Sequence, residues 1–270
     1  MMTLQASKQA QPEMAALFVS DLHLQEDMPR TMQAFLTFLH EQAPRAAQLY
    51  LLGDIFEAWV GDDDINDPCH RRMADAIRHL SEQGTAVFWM AGNRDFLVGE
   101  RFAQDAGMTL LADPFVTTIA SRSLVLTHGD AWCTDDTAYM AFREQVRQPE
   151  WQQHFLSLPL AQRKKIAEDL RAGSREAQKG KSYAITDVNE QAITDLFDRT
   201  AATDMIHGHT HRPAVHRHQL GDTTHLRYVL SDWDLDHGAP RGDWLSIDHN
   251  GTIRRHDLHG GEVETGSKTG

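Results

Sequence analysis

The chain has 270 residues, and 41% of them are hydrophobic, which is enough for one substantial core and excludes a disordered chain. Its formal net charge of −13 argues against coating of nucleic acid, because proteins that neutralise phosphates usually carry an excess of Lys and Arg. Two cysteines are too few for a disulfide framework, and we expect both to be free thiols in a reducing compartment.

Residues 1–14 lack the apolar run of a secretion signal, and no segment approaches the roughly 18 apolar residues of a membrane span. We therefore expect a cytoplasmic protein. Residues 1–14 are interpreted as an N-terminal extension and residues 15–260 as a single domain. Residues 261–270 form a polar tail that we expect to be disordered.

Short apolar runs at 15–20, 48–52 and 85–91 predict buried strands. Apolar residues recur at helical spacing between these runs, at Met32, Phe35, Leu36 and Leu39 and then at Met73, Ile77 and Leu80. The resulting βαβαβ order predicts an α/β fold in which helices cover a sheet. Further strands are predicted at 124–127, 204–206, 226–230, 244–247 and 252–255.

A long helical segment separates the predicted strands at 124–127 and 204–206, with helices expected at 139–146, 151–158 and 160–170. We interpret residues from about 131 to 199 as a helical insertion. Residues 160–182 carry seven basic and three acidic side chains, so this segment could present positive charge to an anionic substrate. The alternative is a solvated helix face, which would account for Arg163, Lys164 and Lys165.

Five polar clusters follow five of the predicted strands, where open α/β sheets place their sites. They are Asp21-Leu22-His23, Gly53-Asp54, Gly92-Asn93-Arg94-Asp95, His128-Gly129-Asp130 and Gly208-His209-Thr210-His211. Each cluster alone is weak, since an isolated Asp-x-His is more often a turn with a capping Asp. Their occurrence together, after five strands in this order, indicates one site.

These clusters resemble the motifs of the calcineurin-like metallophosphoesterases, D-x-H, G-D, G-N-H-D/E, H and G-H-x-H, and they span residues 21–211. The resemblance implies a β-sandwich core flanked by helices and two divalent metal ions. One ion would be held by Asp21, His23, Asp54 and His211. The other would be held by Asp54, Asn93, His128 and His209, so that Asp54 bridges the two. Such a mixed set of carboxylate, imidazole and amide ligands suits Mn²⁺, Fe or Zn²⁺.

Arg94 departs from the family pattern, in which a His at this position is proposed to protonate an alkoxide leaving group. An Arg cannot act as a general acid near neutral pH, but its fork of donors suits phosphate oxygens. Arg94 therefore favours a substrate whose leaving group is a phosphate, such as a diphosphate. The alternative is that Arg94 forms a structural ion pair with Asp95.

Arg94, the helical insertion and the segment 207–213 most resemble the branch of this family that hydrolyses UDP-linked diacylated glucosamine in lipid A biosynthesis. That resemblance implies attack at the phosphorus nearest uridine, a preference for Mn²⁺, and a lid over an acyl-chain chamber. It also implies peripheral association with the cytoplasmic side of the inner membrane, without nucleic acid or an obligatory protein partner. Residues that could line the chamber, or merely pack the helices, are Phe142, Val146, Trp151, Phe155, Leu156, Leu158 and Leu160.

The same resemblance implies a set of substrate contacts. Asn93, Arg94 and His209 would surround the phosphate as catalytic residues. The glucosamine and its phosphate would be contacted by Asp136, Tyr139, Arg171, Ser174, Gln178 and Lys181. Two alternatives remain: a broader phosphodiesterase acting on cyclic nucleotides or nucleic acid, and a non-catalytic scaffold of the same fold, which would be expected to have lost metal ligands.

Overall fold

The computed structural model describes residues 11–178, 185–264 and 267–269. Two six-stranded sheets lie face to face in the described chain, and helices cover their outer faces. This arrangement is the helix-flanked β-sandwich that the family resemblance implied, so the expected fold class is confirmed. None of the helices in the described ranges is long and apolar enough to cross a membrane.

The first sheet has the strand order β11-β10-β1-β2-β3-β4. Its strands are β1 (Met14–Val19), β2 (Ala46–Leu52), β3 (Ala86–Met90), β4 (Thr109–Leu111), β10 (Asp243–Ile247) and β11 (Ile253–Asp257). Strands β1 to β4 are parallel because a helix returns the chain after each of the first three. Those helices are α1 (Pro29–Glu41), α2 (Pro68–Glu82) and α3 (Glu100–Ala106).

The second sheet has the strand order β12-β8-β9-β7-β6-β5. Its strands are β5 (Phe115–Ile119), β6 (Arg122–Thr127), β7 (Asp204–His207), β8 (Ala214–Leu220), β9 (Thr223–Val229) and β12 (Ser267–Thr269). Strands β6 and β7 are parallel, and the chain between them forms helices α4 to α7. The helix α7 (Glu190–Thr200) covers the outer face of this sheet.

Three apolar layers hold these elements together. Between the sheets, the ring of Tyr50 stacks on Phe18 at 5.1 Å and on Phe88 at 4.8 Å between ring centroids. Outside the first sheet, Phe35 and Trp89 are fully buried with residues of α1 to α3. Each large apolar side chain buried in this way contributes about 1.5–3 kcal/mol. Burial of these side chains therefore holds the two sheets together and packs helices α1 to α3 against the first sheet.

The expected helices of the insertion are confirmed as α4 (Thr137–Val146), α5 (Pro149–Ser157) and α6 (Leu160–Gln178). The interpretation of Arg163 as part of a solvated face is wrong, because only 2% of this residue is exposed. Its guanidinium donates to the carbonyl of Val60 and pairs with Asp63. Lys164 pairs with Asp64 at 2.8 Å, so the start of α6 is fastened to the core.

Two features differ from the sequence-based expectation. Helix α7 lies inside the predicted insertion at 131–199, yet Ile193 and Phe197 pack against the second sheet, so this helix completes a core layer. In the tail expected to be disordered, Ser267–Thr269 pairs in parallel with β8. This pairing satisfies backbone groups at the sheet edge, which local composition does not reveal.

Candidate metal centre

The five polar clusters follow the strands β1, β2, β3, β6 and β7, and the sandwich brings them together. Backbone hydrogen bonds join neighbouring clusters directly. Asp21 N donates to Gly53 O at 3.0 Å, and Gly208 N donates to His128 O at 2.9 Å. The predicted clusters therefore form one continuous rim across both sheets.

Six of the seven predicted ligands fall into two groups, each with its ligand atoms within 4.8 Å of one another. The first ligand group is Asp21, His23 and His211, and the second is Asp54, His128 and His209. Asp54 lies between them, with Oδ2 at 3.9 Å from His23 Nε2 and Oδ1 at 3.6 Å from His128 Nε2. The seventh, Asn93, places Oδ1 at 3.0 Å from His128 Nε2. The complete set leaves no basis for a scaffold that has lost its ligands.

The backbone at these positions adopts the left-handed conformation. Asp21, His23 and Asp54 have φ angles of 55°, 49° and 53°, and His209 and His211 have 64° and 54°. A non-glycine residue with such a φ costs free energy, and such residues cluster at functional sites. The loops are thus folded to aim their side chains inward.

Glycines permit the close approach of these loops. A Cβ added to Gly92 would lie 2.2 Å from Asp54 Oδ1, and one added to Gly208 would lie 2.1 Å from Asp21 Oδ2. Both distances are far shorter than a Cβ can approach another atom. The carboxylates could not easily move away, because hydrogen bonds from Arg94 N and His209 N hold them in place. The glycines of the third and fifth clusters are therefore required by packing.

Hydrogen bonds on the far side of each ring orient the histidines. His128 Nδ1 lies 2.9 Å from the carbonyl of Leu52, and His23 Nδ1 lies 3.0 Å from Glu57 Oε2. A proton on each Nδ1 leaves Nε2 free as a metal ligand. Glu57 was not predicted as a site residue, since it belongs to none of the five clusters.

Asp21 provides a test of whether cations fit this site. Its Oδ2 accepts from Ser20 Oγ at 2.5 Å and from His209 N at 2.8 Å. Its Oδ1 is buried, makes no hydrogen bond of good geometry among the described residues, and lies 3.4 Å from Nε2 of the predicted ligand His211. A buried carboxylate oxygen without a partner is costly, and a cation would satisfy it. The mixture of carboxylate, imidazole and amide oxygen suits divalent ions such as Mn²⁺, Fe²⁺ or Zn²⁺.

The electrostatics of the histidines differ within the second ligand group. Burial lowers the pKa of His128, but the carboxylates of Asp54, Asp21 and Asp130 outweigh it and raise the pKa to about 9. Burial and the charge of His128 lower the pKa of His209 to about 4. A metal ion at this group must therefore displace a proton from His128 at neutral pH.

Asp95 holds the second and third clusters together. Its buried carboxylate accepts from the backbone N–H of Ile55 at 2.8 Å, Gly92 at 2.8 Å and Asp54 at 3.3 Å. Burial and the charge of Asp54 raise the pKa of Asp95 to about 6. The alternative of an ion pair between Arg94 and Asp95 is wrong within the described residues, because the Asp95 carboxylate accepts hydrogen bonds from backbone N–H groups and not from the Arg94 side chain.

The insertion brings two of its predicted contact residues to the ligands. The Tyr139 ring stacks on His209 at 6.1 Å between centroids, and its hydroxyl donates to Asp130 at 2.6 Å. Arg171 Nη1 lies 3.9 Å from Glu57 Oε1, the same side chain that contacts His23. The Nε atoms of Arg171 and Arg94 are buried without a hydrogen-bond partner in the described chain. Neither Nε donor is therefore hydrogen-bonded within the described chain.

The other predicted substrate contacts are less closely tied to the ligands. Asp136 caps α4 by accepting from Tyr139 N at 3.1 Å. Ser174 lies on α6, about one turn beyond Arg171. Gln178 ends α6, but its side chain is outside the described part of the structure, as is the whole of Lys181. These four positions stay predictions.

The apolar residues of the insertion divide into two sets. Val146 is buried, and Phe155 with Trp151 stacked on it at 5.0 Å between centroids joins α5 to the core of the first sheet. Phe142 and Leu156 are 38% and 42% exposed. Packing therefore explains the apolar character of the first set, whereas the second set is exposed and could contact a ligand.

Comparison with known proteins gives the family. The calcineurin-like phosphoesterase family model matches residues 14–213. The curated UDP-2,3-diacylglucosamine hydrolase of Escherichia coli O81 is 49% identical over 223 residues, covering 83% of this chain and 92% of that protein.

The enzyme of the same name from Salmonella paratyphi B is 49% identical over 220 residues, covering 82% of this chain and 91% of its own. Among solved structures, an uncharacterised phosphoesterase from Streptococcus pneumoniae has a TM-score of 0.44 at 12% identity, covering 93% of this chain and 92% of that one. On the family match and the curated relatives, the chain is a member of the calcineurin-like phosphoesterase family.

Proposed function

We propose that this chain hydrolyses the diphosphate bond of UDP-2,3-diacylglucosamine, yielding UMP and 2,3-diacylglucosamine 1-phosphate in lipid A biosynthesis. The observation that carries the proposal is the 49% identity, over 83% of the chain, to a curated hydrolase of that substrate. The full set of seven ligand positions supports it, because a relative that kept the fold and lost the chemistry would not need to retain them.

The first ligand group would hold one divalent ion and the second another, with Asp54 between them and Asn93 completing the second. Two such ions, with Mn²⁺ preferred, would lower the pKa of an attacking water and stabilise charge on the attacked phosphate. The chain itself fixes the ligands through Leu52, Glu57 and the hydrogen bonds to Asp21.

Arg94 accounts for the choice of a diphosphate. Its backbone N–H donates to Asp54 Oδ1 at 2.7 Å, which places the residue beside the ligands, and its buried Nε has no described partner. A phosphate leaving from a diphosphate needs no proton at neutral pH, so a fixed cation serves better here than a general acid. Asn93 and His209 would complete the surroundings of the attacked phosphate.

Helices α4 to α6 would form the lid that recognises the rest of the substrate. Tyr139 contacts His209 directly, and Arg171 contacts Glu57, the neighbour of His23. Asp136, Ser174, Gln178 and Lys181 would contact the glucosamine and its phosphate. Exposed Phe142 and Leu156 are the candidates for contact with acyl chains. We place this reaction at the cytoplasmic surface of the inner membrane, where such a lipid resides, with peripheral association.

Incubation of the purified protein with UDP-2,3-diacylglucosamine and Mn²⁺ tests the proposal. UMP and the lipid 1-phosphate should appear in equal amounts, and the Asp54→Ala variant should produce neither. A parallel reaction with bis(p-nitrophenyl) phosphate and cyclic nucleotides tests the broader phosphodiesterase. Turnover of diesters without release of UMP from the lipid would overturn the proposed substrate.

A further inference from the structure

A single carboxylate, Glu57, faces both the metal ligands and the lid. Its Oε2 lies 3.0 Å from His23 Nδ1, and its Oε1 lies 3.9 Å from Arg171 Nη1. The Glu57 side chain is only 15% exposed, so both contacts are largely shielded from water. The two oxygens of one side chain therefore connect a predicted ligand to an arginine of α6.

Glu57 and Arg171 lie close enough for their opposite charges to attract, since 3.9 Å separates Oε1 from Nη1 and both side chains are mostly buried. The Nε of Arg171 is buried and has no hydrogen-bond partner within the described residues. Glu57 therefore supplies negative charge beside a guanidinium that could also pair with a phosphate.

We propose that Glu57 is a positioning residue with two roles. It accepts the Nδ1 proton of His23, which leaves Nε2 for the metal, and it is the counter-ion of Arg171 until an anionic phosphate group replaces it. The second role rests on the proposed function, because it assumes a phosphate bound beside this arginine. A competing carboxylate weakens the hold on phosphate groups, which favours release of phosphorylated products.

Two variants separate the roles. Glu57→Gln preserves the shape of the side chain and an oxygen that accepts from His23, but it removes the charge. Glu57→Ala removes both. Glu82→Gln, at an exposed position on α2, is the matched control, and thermal unfolding of each variant verifies folding.

The first measurement is calorimetric titration of metal-stripped protein with Mn²⁺. Loss of a hydrogen-bond partner behind a ligating His typically weakens metal binding about 10–100-fold, and this is expected for Glu57→Ala. Glu57→Gln should weaken Mn²⁺ binding less than Glu57→Ala does, since the acceptor for His23 remains and only the charge is lost. Wild-type affinity in a folded Glu57→Ala variant would refute the role toward His23.

The second measurement is titration of the Mn²⁺-loaded protein with inorganic phosphate. Glu57→Gln should bind phosphate about three- to tenfold more tightly than wild type and the control, because a nearby negative charge is gone. In an Arg171→Met background, the gain should fall by at least half, since the counter-ion role requires that cation. An unchanged or weaker affinity in Glu57→Gln would overturn the counter-ion role. If wild-type protein bound no Mn²⁺, the proposed function itself would be refuted, and this result differs from any outcome that refutes only the roles of Glu57.

Discussion

Replacing Asp95 by Ala is expected to loosen two ligand loops at once. Its carboxylate accepts from the N–H groups of Ile55, Gly92 and Asp54, and these lie in the loops that carry Asp54 and Asn93. Removing a buried acceptor leaves each donor unpaired at a cost of about 1–3 kcal/mol. Because such losses do not add fully, we expect the free energy of unfolding to fall by about 3–6 kcal/mol. That is a large share of the roughly 5–15 kcal/mol available to a typical domain.

Urea denaturation of metal-stripped wild type and variant measures this loss. The Ala variant should also bind less Mn²⁺, because Asp54 and Asn93 are no longer held at their positions. Added Mn²⁺ should recover part of the stability, since an ion that binds only the folded state stabilises it. A loss below about 1 kcal/mol with normal Mn²⁺ content would refute the idea that Asp95 clamps the loops.

Three further substitutions and one titration probe the site. Asp54→Ala should abolish turnover and lower the Mn²⁺ content measured by atomic emission, because Asp54 lies between both ligand groups; near wild-type rates at limiting Mn²⁺ would disprove that position's bridging role. Arg94→His should reduce diphosphate hydrolysis about 10²–10³-fold in steady-state assays, as expected when a donor to developing charge is lost, and unchanged rates would contradict it. Arg171→Ala should impair hydrolysis of the lipid substrate far more than that of p-nitrophenyl phosphate, whereas equal losses would indicate a structural role. Finally, since the pKa of His128 is raised to about 9, its proton competes with metal below that pH, so Mn²⁺ affinity should rise with pH between 7 and 9; a flat calorimetric profile would oppose this.

The fold and the clustering of the seven candidate ligands could be predicted from the sequence because both depend on local patterns. A buried parallel strand is a short apolar run, and each ligand follows such a run directly. The strands β4, β5 and β8 were missed because they are short or carry exposed residues, so their sequences lack that pattern. Pairing with a neighbouring strand defines them: β4 pairs with β3, β5 with β6 and β8 with β9.

Residues whose roles come from tertiary contacts could not be found in this way. Glu57 contacts a histidine 34 positions away and an arginine on α6, and no spacing rule links them. Asp95 was considered as an ion-pair partner because Arg94 is its neighbour, whereas its hydrogen bonds go to backbone groups across the fold. For Arg163 the sequence left a substrate-facing patch and a solvated face as alternatives, whereas its guanidinium donates to the carbonyl of Val60 in the core.

The left-handed backbone at Asp21, His23, Asp54, His209 and His211 limits how this site can change during evolution. Among residues with a side chain, Asp, Asn and His tolerate that conformation best, and the same three are good ligands for divalent metals. A mutation to Val, Ile or Thr would strain the backbone and destabilise the fold, in addition to removing a ligand. Substitutions that change the metal preference are therefore largely limited to Asp, Asn and His at these positions. Substitutions can accumulate more freely in helices α4 to α6, where helical backbone accepts most side chains.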